Sequence, residues 1–366
     1  MRRVLDFIQA NKLLSISLFL AIISCLVGRF SAGDIDYKVI LTLFGLMLLI
    51  QGFEQVGLLR FVAQKLLHHS QDSRRLVQLM VLLSLIGSMF LTNDVAILTL
   101  LPIYLKILNL LPKFKGRLLG SVLIIVAANL GSSFFPFGNP QNLYLYDYYH
   151  VAFSQFLLWM GLVLLVSIIA LWLLTLLVAK DSLEEIEFKQ ATFVRNESFL
   201  LAALMAIMIL VVLNLFPYQW TVPLVVLAVL FYRRSLFRRV DYGLLATFVC
   251  FFIIVGNIGE ADFIRENLHA LSSKQVYLTS IGMSQVISNV PAAFLIAPFT
   301  DYQQAVILGV NIGGLGTLLA SLANLIGYNL FHSFYPDETK RFLGLFSLVN
   351  FGLLVILGGI FFFFIH

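Results

Sequence analysis

A chain of 366 residues that is 60% hydrophobic and 12% charged, with mean hydropathy +0.96, cannot be a soluble domain, where about 25% of residues are charged. Many apolar runs approach the roughly 20 residues that cross a bilayer, which indicates an all-α polytopic membrane protein; their unbroken character excludes a β-barrel, whose strands would alternate. The net charge of +5 does not imply nucleic acid, because the basic residues sit in short loops between apolar runs, where orientation signals belong.

In chain order, residues 1–12 are polar and basic, and residues 13–28 are apolar. A signal peptide would share that start, but the repeat described below needs this segment as a helix. A span is expected near 38–53, then an amphipathic interfacial helix over 54–69. Residues 76–110 are too long for one span and carry Thr92-Asn93-Asp94 in the middle. Two half-length helices meeting at a polar tip, a re-entrant hairpin, fit better. A helix over 117–134 then breaks through Pro136, Gly138 and Pro140. A span follows at 154–179, a charged linker at 180–197, spans at 198–215 and 219–232, a basic loop at 233–239 and a span at 242–258. Residues 275–300 hold a second hairpin, 303–332 a second broken helix, and 342–364 the last span. Cys25 and Cys250 lie in apolar runs, without disulfide or metal spacing.

The two halves match. Ser88, Thr92, Asn93 and Pro102 recur as Ser284, Ser288, Asn289 and Pro298, a constant offset of 196. Asn129, Gly131, Asn142 and Leu143 recur as Asn311, Gly313, Asn324 and Leu325, an offset of 182. Each half reads span, span, hairpin, broken helix, span. Each therefore crosses an even number of times, and the extra span at 198–215 inverts the second half, a transporter architecture of about nine crossings. Residues 1–179 form the first repeat, 180–217 the cytoplasmic linker and connecting helix, and 218–366 the second repeat. With the N-terminus inside and the C-terminus outside, 20 of the 24 Lys and Arg are inside; Arg29, Lys38, Arg265 and Lys274 are outside.

Unwound backbone survives in a bilayer only when buried in protein or lining a cavity. Four such segments should converge here. Thr92, Asn93, Asp94, Ser288 and Asn289 come from the tips. Asn129, Gly131, Ser132, Ser133, Gly138, Asn139 and Asn142 come from the first break, and Asn311, Gly313, Gly314, Thr317, Ser321 and Asn324 from the second. Helix N-termini suit an anion, while amide, hydroxyl and carbonyl oxygens of Asn93, Asp94, Ser288 and Asn289 could hold Na⁺. The plainer reading makes the tip residues helix caps, and a cap can also be a ligand. Asp94 is an intramembrane carboxylate, costly and a functional candidate; its repeat mate is Val290. It could bind Na⁺, carry a proton or bind protonated substrate. Tyr144, Tyr146, Tyr148, Tyr149, Trp159 and Trp220 are expected in the interfacial aromatic belt, His68 and His69 at the interface, and Glu54 and Glu260 at helix ends.

Leu91-Thr92-Asn93-Asp94-Val95-Ala96 with Pro102, Gly138-Asn139-Pro140-Gln141-Asn142, Ser284-Gln285-Val286-Ile287-Ser288-Asn289-Val290-Pro291, Asn311-Ile312-Gly313-Gly314 and Ser321-Leu322-Ala323-Asn324-Leu325 resemble the ion transporter superfamily. That superfamily includes citrate and dicarboxylate/sodium symporters and bacterial arsenite permeases, and the likeness is greatest to its YbiR-like branch of inner-membrane proteins with a citrate-transporter-like domain. The resemblance implies an ion-coupled secondary transporter in the bacterial plasma membrane, often a homodimer, moving a small anion by an elevator-like motion. The dicarboxylate branch carries Ser-Asn-Thr at each tip; here the third positions are Asp94 and Val290. Asn-Asp is more like the arsenite permeases, which are linked to proton motive force.

The leading expectation is secondary transport of a di- or tricarboxylate or inorganic oxyanion, coupled to Na⁺ or H⁺ and needing no cofactor. Arsenite or antimonite efflux is the alternative within transport, and an ion channel the alternative of another class. No His-Glu-x-x-His, Asp-Asp-x-x-Asp or nucleophile motif suggests an enzyme, and no phosphate-binding Gly-x-x-x-x-Gly-Lys-Ser/Thr loop suggests ATP hydrolysis.

Overall fold

The computed structural model describes residues 12–28, 31–67, 70, 72–109, 111, 114, 116–182, 195–258 and 271–365. The basic start with Arg2 and Arg3, and His68, His69, Lys113, Lys115, Lys189, Glu260 and Arg265, lie outside the described residues, as does most of the linker expected at 180–197.

Among the described residues the structure is helical, with one isolated antiparallel bridge between Asp72 and Ser182. The helices are α1 (Lys12–Val27), α2 (Tyr37–Val56), α3 (Leu58–Leu67), α4 (Ser73–Leu91), α5 (Asn93–Asn109), α6 (Arg117–Ser132), α7 (Pro140–Tyr148), α8 (Phe153–Thr175), α9 (Arg195–Val212) and α10 (Tyr218–Arg233). They continue as α11 (Tyr242–Ile258), α12 (Ser273–Ile287), α13 (Asn289–Ile296), α14 (Gln303–Gly313), α15 (Leu322–Phe334) and α16 (Thr339–Phe362). Among the described residues, five stretches are long and apolar enough to cross a membrane: Tyr37–Val56, Ser73–Leu91, Phe153–Thr175, Tyr218–Arg239 and Pro336–Phe362.

Two packing groups form. In the first, α2 packs on α9, α10 and α11, and α1 packs along α11. The amide of Asn257 on α11 donates to Ser24 Oγ at 3.2 Å, so the apolar run at 13–28 is knitted into the bundle. The second group holds α4–α8 and α12–α16, with α4 and α5 against α6, α12 and α13 against α14, and α16 against α6, α8 and α14. Between the groups, Lys38 at the start of α2 pairs with Asp147 on α7 and donates to Asn214 Oδ1 after α9 at 2.6 Å. Burial pushes the carboxyl of Asp36, the N-cap of α2, above its ordinary range, and the nearby Asp147 adds to the rise.

The two apolar stretches with polar centres break where expected. Thr92 separates α4 from α5 at φ 69°, ψ 158°, and Ser288 separates α12 from α13 at φ 78°, ψ 151°. The arms differ from the half-length helices expected. α4 and α5 have 19 and 17 residues, about 28 and 25 Å at 1.5 Å per residue, whereas α12 and α13 have 15 and 8. The cause is in the sequence: Ile103, Leu105, Ile107 and Leu108 continue the apolar pattern past Pro102, whereas past Pro298 the chain turns polar at Thr300 and Asp301 and tightens to a 3₁₀ turn at Ala297–Phe299.

Small residues let these arms approach the broken helices. A Cβ added at Gly131 would lie 2.1 Å from Leu85 O and 2.4 Å from Ser88 Oγ. A Cβ added at Gly313 would lie 2.8 Å from Ser284 Oγ, the same contact one repeat later. Backbone cannot move aside as a side-chain end can, so Gly131→Ala should cost about 1–3 kcal/mol by overpacking. Gly282→Ala, where nothing lies within 4 Å, should be neutral or slightly stabilising. Thermal unfolding in detergent micelles checks both.

Candidate functional site

The site forms where α6 and α14 end early and the chain restarts as α7 and α15. Asn139 is the N-cap of α7, accepting from Asn142 N at 2.9 Å; Ser321, at the equivalent position, precedes α15. The broken backbone between them finds its partners in amide side chains. Asn142 Nδ2 donates to Ser133 O at 2.9 Å. Asn324 Nδ2 donates to Gly314 O and Thr317 O, both at 3.0 Å.

The same amides also bond to one another, in two matching bonds between positions related by the 182-residue offset. Asn129 Nδ2 donates to Asn324 Oδ1 at 2.7 Å, and Asn311 Nδ2 to Asn142 Oδ1 at 2.6 Å. Ser321 Oγ donates to Asn129 Oδ1 at 3.0 Å, and Asn139 Nδ2 to Asn311 Oδ1 at 3.3 Å. Asn93, first residue of α5, joins by donating to Asn129 Oδ1 at 3.1 Å. All seven side chains are buried. The network therefore unites Asn93, Asn129, Asn139, Asn142, Asn311, Ser321 and Asn324, without a formal charge. The starts of α5, α7 and α15 bring their partial positive charge to it, with Asp94 N, Asn142 N and Asn324 N already held by Asn93 Oδ1, Asn139 Oδ1 and Ser321 O.

The other expected residues serve differently. Ser132 and Ser133 hydroxyls donate back to Asn129 O and Leu130 O within α6. Gly138 has room for no Cβ, which would meet Ser132 O at 2.2 Å. Asn289 is buried beside Gly314, whose added Cβ would meet its amide nitrogen at 2.9 Å; no bond among the described residues ties it into the network. Ser288 Oγ donates to Ala320 O at 3.4 Å. Asp94 stands apart from the amides: its Oδ1 is buried and has no hydrogen-bond partner among the described residues. No group of three His, Cys, Asp or Glu able to hold a metal occurs among the described residues, so a cation here would rely on amide, hydroxyl and backbone oxygens.

Gln285 is the residue that sequence reasoning passed over. Its amide donates to Gly313 O at 2.7 Å and Leu315 O at 3.0 Å, and its Oε1 accepts from Thr317 N at 3.0 Å. It staples α12 to the second break. Its repeat mate is Met89, so the twofold offset could not mark it; a lone amide in an apolar arm was the available signal. Tyr144 and Tyr146 are also corrected. Expected in the interfacial belt, they are 2% and 4% exposed. Tyr144 stacks on Phe294 of α13 with centroids 3.8 Å apart, and Phe248 and Phe252 of α11 pack edge-on against Phe294. Trp220 is 77% exposed, as a belt residue should be.

Removing a buried amide strands its partners, at about 1–3 kcal/mol for each unsatisfied group. Asn129→Leu should therefore destabilise the fold strongly, because it orphans Asn93, Ser321 and Asn324. A double-mutant cycle of Asn142→Ala with Asn311→Ala should show coupling of about 0.5–3 kcal/mol by thermal unfolding; additive effects would deny the bond between them.

Comparison with known proteins agrees with this architecture. The family model described as Citrate transporter (CitMHS) matches residues 12–304. The chain is 31% identical over 300 residues to the inner membrane protein YbiR of Escherichia coli (strain K12), covering 81% of this chain and 80% of that protein. It is 32% identical over 303 residues to an uncharacterized transporter of Methanocaldococcus jannaschii, covering 81% of each. The crystal structure of the YdaH transporter of Alcanivorax borkumensis superposes with a TM-score of 0.53 at 14% identity, over 96% of this chain and 98% of that one. The chain belongs to the citrate transporter family of membrane proteins, transporters and not enzymes.

Proposed function

We propose that the protein is an ion-coupled secondary transporter of a small anion, a di- or tricarboxylate or an inorganic oxyanion, working by alternating access. The observation that carries this is the amide network that joins the first tip to the two broken helices. Its members offer N–H donors to an oxyanion and C=O acceptors to a cation, and each can exchange a protein partner for a ligand at little net cost. Candidate ligands are the seven network side chains, with Thr92, Asp94, Ser288 and Asn289 at the tips and the backbone of Gly131, Ser132, Ser133, Gly138, Gly313, Gly314 and Thr317.

In this reading the halves are inverted repeats and α4–α5 and α12–α13 are re-entrant hairpins, the first open to the cytoplasm. Contacts between helix ends support the sidedness. Ser73 Oγ donates to Ala179 O, Arg117 pairs with Glu338, and Arg233 pairs with Glu197, all joining ends assigned inside. Lys38 with Asp147, and Tyr149 with Ala297 O and Thr300 O, join ends assigned outside. The group α4–α8 with α12–α16 would carry the substrate past the group α1, α2 and α9–α11. A homodimer in the bacterial inner membrane is the expected assembly and location.

Asp94, an intramembrane carboxyl whose buried Oδ1 has no hydrogen-bond partner among the described residues, is taken as an H⁺ carrier in preference to a Na⁺ ligand. It also gives weight to the alternative of arsenite or antimonite efflux, because a neutral hydroxy acid tolerates an anionic tip better than citrate does. In proteoliposomes, uptake of labelled citrate, phosphate or arsenite should follow an imposed pH gradient. Asp94→Asn should leave folded protein that has lost this dependence. Wild-type uptake by the variant, with unchanged ion dependence, would remove Asp94 from coupling. Uptake that needs Na⁺ and ignores pH would move the coupling ion to the tip oxygens.

A further inference from the structure

A groove of about 520 Å³ runs between α4 and α8, away from the amide network. Its mouth carries Arg74, Arg75 and Lys180 with one acidic residue, Asp72. Its wall is apolar: Leu82, Ile168, Trp172 and Leu176 line it and are 49%, 43%, 56% and 41% exposed. The polar end is rigidly built. Ser73 Oγ donates to Ala179 O at 2.6 Å, Arg74 Nε to Val178 O at 2.9 Å, and Gln78 Nε2 to Thr175 Oγ1 at 3.3 Å. Asp72 Oδ1 is engaged in capping α4 through Arg75 N at 2.9 Å. Arg75 and Lys180 are exposed at the rim.

A basic, hydrogen-bonding mouth above an exposed apolar trough matches one ligand chemistry, a negatively charged phosphate joined to acyl chains. We infer that this groove binds an anionic phospholipid, with the headgroup phosphate at Arg74, Arg75 and Lys180 and an acyl chain along Leu82 and Trp172. A second copy of the chain is a poorer occupant. A twofold partner in the same membrane would bring an identical basic mouth to the same depth, and like charges would face each other. Free phosphate would satisfy the mouth and leave the trough empty. The bound lipid would lie against α4, the arm that ends at Thr92, so occupancy would bear on how that arm moves.

The test uses the full chain in detergent, titrated with phosphatidylglycerol or phosphatidylcholine of the same acyl chains and read by native mass spectrometry. Two uncompensated basic charges, at about fivefold each, predict about thirtyfold tighter retention of phosphatidylglycerol. Arg75→Glu with Lys180→Glu should bring that preference to near unity with the thermal midpoint unchanged. Leu82→Trp, which keeps the charges and fills the trough, should weaken both lipids and serves if the double variant fails to fold. Equal retention of the two lipids by the wild type, an unchanged preference in the double variant, or unchanged retention of both lipids by Leu82→Trp, would overturn the assignment. So would inorganic phosphate displacing the phosphatidylglycerol at equal concentration, or concentration-dependent dimers that exclude it.

Discussion

Interrupting a helix inside a membrane exposes carbonyls and N–H groups that no water can satisfy, and the rest of this structure follows from how that is solved. Each unsatisfied group costs several kcal/mol there. The protein answers with amide side chains, which donate and accept at once. Asn142 closes the first break and Asn324 the second, each spending its amide nitrogen on carbonyls of its own break and offering its oxygen to the other half. The repair of one break thereby depends on the other, and the two halves are joined by hydrogen bonds at their weakest points.

The tips add strain to this arrangement. Thr92 and Ser288 occupy a backbone region that is essentially reserved for glycine, at about 1–3 kcal/mol each. Their carbonyls nonetheless start the following helices, through Ala96 N at 3.2 Å and Ala292 N at 3.1 Å. The same conformation at the same repeat position points to a shared role: it turns the chain so that Asn93 and Asn289 begin a helix directly against the broken segments. Symmetry stops there. Asn93 enters the amide network and Asn289 packs on Gly314, while Asp94 faces Val290 across the repeat and Gln285 faces Met89. One tip carries an ionisable group and the other is stapled to its break. The ionisable group thus lies at the first tip, and the side-chain bonds to a break lie on the arm of the second.

Much of this was legible in the sequence, because apolar run length and polar interruptions both report directly on bilayer constraints. The constant offsets located both tips, both breaks and the network asparagines other than Asn139 without any structure. What stayed hidden depends on packing between segments far apart in the chain. Gln285 had no repeat mate to mark it. Tyr144 sits near a helix end, where belt residues also sit, and only the fold brings Phe294 over its ring. The inequality of the arms also stayed hidden, 19 and 17 residues in α4 and α5 against 15 and 8 in α12 and α13. The link from Lys38 to Asp147 joins residues 109 positions apart, beyond any local pattern.

The central claim is that the cross-repeat amide network opens to receive the transported anion. Calorimetric titration of citrate, phosphate and arsenite into folded wild type and folded Asn311→Ala measures it most directly. Whichever solute binds the wild type should bind the variant at least about tenfold more weakly, equivalent to about 1.4 kcal/mol. Equal affinity in the two proteins would contradict the account, because the anion would then be held somewhere other than at the broken helices.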